Sequence, residues 1–107
     1  MHQIDFLTSV IDNFWDAGFA FHLAISLLYN DKNLHINFFC DDKELFLKLK
    51  WNIETPNLVY YDVKDFEKHI PAETIYNFFD RKINFEYLHT FGHTIELINF
   101  SYFLMHD

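Results

Sequence analysis

Five short segments rich in Ile, Leu, Phe and Val alternate with helical segments in this sequence of 107 residues. Strands that alternate with helices pair in parallel and are connected by right-handed crossovers. The predicted strands are residues 3–10, 34–40, 57–63, 74–79 and 94–102. The predicted helices are residues 18–30 and 83–91. A further short helix is capped by Asp41 or Asp42 and ends near Lys50. We therefore expect an α/β, Rossmann-like three-layer domain with a mainly parallel sheet.

The length and the composition indicate one domain, residues 1–107, with a hydrophobic core. Half of the residues are apolar, and no long uncharged apolar run predicts a membrane span. The first residues lack the basic segment of a secretory signal. The single cysteine, Cys40, excludes an intramolecular disulfide and is consistent with the cytoplasm, where we expect the protein to act.

The charge balance is acidic, with 16 Asp and Glu against 8 Lys and Arg. Nucleic acids and anionic membranes bind clustered Lys and Arg, so neither is the expected partner. The excess of carboxylates favours a cation or a protein that presents Arg or Lys. The sequence does not predict the oligomeric state.

The first candidate site is the loop of residues 11–17, which follows the first predicted strand. Rossmann-like folds bind their ligands at the carboxyl ends of the strands. A phosphate loop at this position needs several glycines, whereas the segment contains Asp12 and Asp16 and only Gly18 at its end. Two carboxylates could bind a guanidinium or act as a general base. The structural alternatives are a turn at Asp12-Asn13 and a helix N-cap at Asp16.

Other chemistry-bearing residues favour structural roles. His89 and His93 have a metal-compatible spacing, but Gly92 separates them and no further ligands cluster nearby, so we predict no metal site. Cys40 ends a predicted strand and is interpreted as a small buried residue. Asp41-Asp42 is interpreted as a helix cap, with an acidic surface as the alternative.

Several segments are similar, in order, to the N-terminal part of the EarP family, bacterial enzymes that rhamnosylate an arginine of elongation factor P. The family's signature is a strand followed by Asp-Asn-aromatic-Gly-Asp-Ile-Gly and a helix with Leu-Ala. This signature resembles Val10-Ile11-Asp12-Asn13-Phe14-Trp15-Asp16-Ala17-Gly18 and Leu23-Ala24. Weaker similarities follow at Phe39-Cys40-Asp41-Asp42, at residues 74–79 and at residues 97–103. The resemblance covers nearly all of this sequence but only the front part of the two-domain GT-B enzymes of the family.

The resemblance implies an inverting transfer of rhamnose from dTDP-rhamnose to an arginine nitrogen. It implies that Asp16 is the general base, that Asp12 orients the guanidinium, and that Asn13, Phe14 and Gly18 contact the acceptor. No cofactor is implied, and the nucleotide-sugar domain lies outside these 107 residues. The chain would then be a fragment that is inactive alone.

Two alternatives remain. The family's helix arginines are replaced by His22 and Ile25, and two strand glutamates by Asn77 and Ser101. These replacements favour a non-catalytic module that binds elongation factor P or another basic protein. The second alternative is an unrelated receiver-like or flavodoxin-like domain whose acidic loops bind a divalent cation.

Overall fold

The computed structural model describes residues 2–8, 14–78, 85–89 and 95–100. Within these ranges the chain alternates strands with helices, as the sequence predicts. The elements are β1 (His2–Leu7), α1 (Phe14–Asn30), β2 (Leu34–Cys40), α2 (Lys43–Lys50), β3 (Leu58–Asp62), a 3-10 helix (Val63–Lys68), β4 (Thr74–Phe78), α3 (Phe85–His89) and β5 (Glu96–Phe100).

All five strands form one parallel sheet in the order β3-β2-β1-β4-β5. The predicted α/β Rossmann-like fold is therefore confirmed. The order is that of the first five strands of a Rossmann fold and differs from the 2-1-3-4-5 order of flavodoxin-like and receiver-like domains. The flavodoxin-like or receiver-like architecture considered from the sequence is thus wrong.

Several boundaries differ from the predicted ones. Strand β1 ends at Leu7 rather than at residue 10, and β3 is Leu58–Asp62 rather than residues 57–63. Helix α1 begins at Phe14 rather than at Gly18, because residues 14–17 contain neither Gly nor Pro and can continue the helix. The chain after β3 forms a 3-10 helix that the strand pattern did not predict. Its first residue, Val63, is the last residue of the predicted third strand.

One face of the sheet carries an aromatic core covered by α1 and α2. The rings of Phe6 and Phe38 lie on neighbouring strands with their centroids 5.9 Å apart. Phe21 of α1 packs edge-on against Phe38 at 6.2 Å and against Phe46 of α2 at 6.0 Å. In α1 the buried residues recur three or four positions apart, at Phe21, Ala24 and Leu28 among others, so one stripe of the helix faces the sheet.

The opposite face has a smaller apolar cluster. Leu7, Phe39 and Ile75 are buried there beneath Val63 and Phe66 of the 3-10 helix, and Leu88 of α3 belongs to the same cluster. Both faces of the parallel sheet are thus covered by apolar side chains, as parallel sheets require.

A buried carboxylate, Asp5 in the middle of β1, lies on this second face and is completely inaccessible to solvent. Its Oδ1 accepts a hydrogen bond from Asn37 Nδ2 of β2 at 2.9 Å, and its Oδ2 accepts one from the main-chain N–H of Ala72 at 2.8 Å. His69 Nε2 lies 3.7 Å from Oδ1. Asp5 therefore connects β1, β2 and the segment before β4, and these donors offset the cost of burying a carboxylate.

Among the described residues, the helices are too short or too polar to cross a membrane.

Replacing Asp5 by Ala should lower the free energy of unfolding by about 2–4 kcal/mol, because the Ala72 N–H would be left buried without an acceptor and the Asn37 amide would keep only its longer bond to Gln3. Urea denaturation measures this loss. Asp65→Ala is the matched control, since the Asp65 side chain is 54% exposed and its ion pair with Lys68 is worth less than about 1 kcal/mol. Equal losses in the two variants would contradict the assigned role of Asp5.

Candidate functional site

The carboxyl ends of the parallel strands meet at one edge of the sheet, which we term the carboxyl edge. Asp41 and Asp42 directly follow β2, and Asp62 is the last residue of β3. The N-terminus of α1 lies on the chain after β1 and returns from the same edge. Three aspartates of the described chain are thus brought to the edge where ligands bind in folds of this type.

Asp12 and Asn13, two residues of the predicted site, lie outside the described residues. Phe14, Asp16 and Gly18 belong to α1, and only the backbone of residues 14–17 is described. Asp16 lies in the first turn of the helix, so the prediction that it is the N-cap is wrong. A carboxylate in the first turn is favourable because the helix dipole is positive there. The pairing of Asp12 with Asp16 stays a prediction.

Gly18 lies inside α1 and is partly exposed. A Cβ atom built at this position would have no atom within 4 Å, apart from the chain immediately around it. Packing therefore does not require a glycine here, and the space beside Gly18 is open. The contact of Gly18 with an acceptor stays a prediction.

Asp42 and Asp62 both cap the helices that follow their strands. Asp42 Oδ1 accepts a hydrogen bond from Leu45 N at 3.0 Å, and Asp62 Oδ1 accepts one from Lys64 N at 2.9 Å. The predicted helix cap at Asp41 or Asp42 is therefore confirmed for Asp42. Each of these two caps uses one carboxylate oxygen and fixes the direction of the side chain.

The phenol of Tyr60 lies within the electrostatic influence of the carboxylates at the carboxyl edge. Its hydroxyl donates a hydrogen bond to the Cys40 carbonyl at 3.1 Å. Burial has the largest effect on the pKa of the Tyr60 phenol, and together with the neighbouring Asp62, Cys40, Asp41 and Asp42 side chains it raises that pKa to about 12. The potential at this edge is therefore negative, which favours cations and disfavours phosphates.

Cys40 is buried beneath the edge, as the sequence predicts. Burial raises the pKa of its thiol, although the main-chain N–H of Asp42 and the Thr8 hydroxyl act in the opposite direction. A buried thiol with a raised pKa is a poor nucleophile. We assign Cys40 to the core.

His89 ends α3, and His93 lies outside the described residues. Within the described part of the chain, no three His, Cys, Asp or Glu side chains are placed to hold a metal ion.

The sequence analysis did not identify the polar network around Asp5. His35 Nε2 lies 3.1 Å from Asn37 Oδ1, and Asn37 Nδ2 donates to Gln3 Oε1 at 3.3 Å as well as to Asp5. A signal was present, because polar residues occupy alternate positions at Gln3 and Asp5 in β1 and at His35 and Asn37 in β2. Alternate residues share one face, so the pattern indicated a polar strip on the sheet.

Comparisons with family models, curated proteins and solved structures found no match to this chain. The functional argument therefore depends on the residues and on the geometry of the carboxyl edge.

The raised pKa of Tyr60 predicts a loss of stability at alkaline pH. In the unfolded chain a tyrosine phenol ionises near its ordinary pKa of 10.0, whereas Tyr60 in the folded protein keeps its proton to about pH 12. The stabilising contribution is therefore complete below pH 10.0 and is lost as the pH rises through the folded-state pKa.

Urea denaturation at about pH 9 and about pH 11 should show this loss, and the loss should be smaller in Tyr60→Phe. Tyr29→Phe, which removes a phenol that is 73% exposed, is the control. If Tyr60→Phe loses as much stability between these two pH values as Tyr29→Phe and the unmodified protein do, the raised pKa of Tyr60 is contradicted.

Proposed function

We propose that this domain binds an arginine side chain of a partner protein at the carboxyl edge. The observation that carries the proposal is that the neighbouring parallel strands β2 and β3 bring Asp41, Asp42 and Asp62 to the same edge of the sheet. Together with burial, these carboxylates raise the pKa of the Tyr60 phenol. An edge with this potential attracts a guanidinium. In line with the resemblance to the EarP family, the partner is elongation factor P and the domain is the acceptor side of an arginine rhamnosyltransferase.

The chemistry of the acceptor explains why carboxylates are needed. A guanidinium is planar, permanently charged and rich in N–H donors, so carboxylates bind it with directional hydrogen bonds. It is also a poor nucleophile, because its lone pairs are delocalised. A carboxylate that takes one proton as the N–C bond forms makes the attack feasible.

The proposed roles at the site follow from the resemblance. Asp12 orients the guanidinium, and Asp16 takes the proton that the attacking nitrogen loses. That nitrogen forms a bond to the anomeric carbon of rhamnose, and dTDP leaves with the electrons of the broken bond. Asn13, Phe14 and Gly18 contact the acceptor. The helical position of Asp16, in the first turn after the edge of the sheet, supports this assignment.

A second candidate function, binding without catalysis, is favoured by one observation on β4. Asn77 stands where the family has a glutamate, is almost fully buried, and donates a hydrogen bond from Nδ2 to Asn99 Oδ1 at 3.0 Å. At this position the chain therefore has an amide that binds the amide of the neighbouring strand, whereas the family has a carboxylate. The two candidates differ in whether the bound arginine is rhamnosylated when a nucleotide-sugar domain and dTDP-rhamnose are added.

Isothermal titration of the 107-residue chain with elongation factor P tests the proposed binding. We expect binding that Asp16→Asn weakens about tenfold to a hundredfold, because a hydrogen bond between charged groups contributes about 1.5–3 kcal/mol. Asp65→Asn, on the exposed surface of the 3-10 helix, should bind like the unmodified chain. Circular dichroism confirms that each variant is folded.

Elongation factor P with its acceptor arginine replaced by alanine is the second control and should bind much more weakly. The proposal is contradicted if the folded chain does not bind elongation factor P. It is also contradicted if the alanine variant of the factor binds equally well.

A further inference from the structure

Two aromatic residues and one leucine are unusually exposed near the carboxyl-terminal ends of α1 and α2. Trp51 is 78% exposed, Tyr29 is 73% exposed and Leu47 is 53% exposed. Exposed tryptophan and tyrosine side chains are typical of protein-binding surfaces, where they supply much of the binding energy. We term these three residues and the adjoining groove the aromatic surface.

The backbone holds Trp51 in its exposed position. Trp51 is the C-cap residue of α2 and follows Leu47 by four positions, about one helical turn. The helix ends with hydrogen bonds from Trp51 N to Lys48 O at 3.3 Å and from Ile53 N to Lys50 O at 2.9 Å. Asn52 between them has a φ of 67°, a left-handed conformation that asparagine tolerates at helix ends. The turn is thus fixed, and little ordering cost would accompany binding.

A groove of about 600 Å³ opens beside Trp51, between the end of α1 and the segment from Asn52 to Asn57. Leu28, Tyr29, Ile53 and Pro56 form its apolar wall. The groove lies at the amino ends of β2 and β3 and is therefore at the opposite edge of the sheet from the carboxyl edge. A binding event here would not compete directly with the proposed arginine site.

Lysines lie beside the aromatic surface on α2 and in the groove, although the chain as a whole has a net charge of -8. The last turn of α2, next to Trp51, carries two lysines, Lys48 and Lys50, and no acid. The groove adds Lys32, whose Nζ lies 5.6 Å from the centroid of the Tyr29 ring, and the acid Glu54. Basic groups therefore exceed acidic groups by three to one in the last turn of α2 and the lining of the groove.

We propose that the aromatic surface binds an acidic segment of a partner protein, with an aliphatic or aromatic anchor in the groove. The lysines attract the acidic side chains of the segment, and Trp51 and Tyr29 cover its anchor residue. This proposal is independent of the proposed function, because it concerns the opposite edge and a partner of opposite charge.

The test uses a synthetic fluorescent peptide that is rich in Asp and Glu and contains Phe and Leu anchors. A second peptide has the acids replaced by Asn and Gln, and a third has them replaced by Lys. Fluorescence anisotropy should show at least about tenfold tighter binding of the acidic peptide than of either control. Trp51→Ala and Lys48→Glu should each weaken this binding about tenfold.

Lys64→Glu is the matched control, because Lys64 lies on the 3-10 helix and its side chain is 83% exposed. It should bind the acidic peptide like the unmodified protein. Equal binding of the three peptides, or unchanged binding by folded Trp51→Ala, would overturn the proposal. Sedimentation that reveals a dimer abolished by Trp51→Ala would also overturn it, since a second copy of the chain would then occupy the surface.

Discussion

In the five-stranded sheet every strand runs parallel to its neighbours, so the chain must return across the sheet after each strand. This pairing has two consequences. Both faces of the sheet must be buried, and the carboxyl ends of all strands lie at one edge. The second consequence brings Asp41, Asp42 and Asp62 together, although Asp62 lies some twenty residues beyond the other two in the sequence.

The two faces of the sheet are buried in different ways. Phe21 and Phe46 cover one face from α1 and α2 with packed aromatic rings. The other face is covered in part by a short 3-10 helix, and in the middle of β1 and β2 it carries Asp5 and Asn37 in place of apolar residues. There the Asp5 carboxylate binds the main-chain N–H of Ala72, so directional hydrogen bonds replace hydrophobic packing.

The sequence predicted the strands and most of the helices because period-2 and helical patterns are local. The second strand, residues 34–40, has the predicted bounds, and the capping aspartate, Asp42, follows from residue type and position. The start of α1 was not predicted, since Phe14 and Trp15 suit a loop or a helix equally well by composition. The bond from Ala72 to Asp5 spans 67 positions and depends on strand order, which a local pattern does not contain. The electrostatic potential at Tyr60 also depends on strand order, because the carboxylates near it come from the ends of two strands.

Chemical-shift mapping tests the central claim, that the carboxyl edge binds an arginine side chain, most directly. The 107-residue chain, labelled with ¹⁵N, is titrated with a short peptide that contains the acceptor arginine and with the same peptide carrying alanine instead. The account predicts that the arginine peptide shifts the amides of Thr8, Asp41, Asp42 and Asp62 and leaves those of Asn57 and Glu73, at the opposite edge, unchanged. Identical shifts with both peptides, or shifts confined to Asn57 and Glu73, would contradict it.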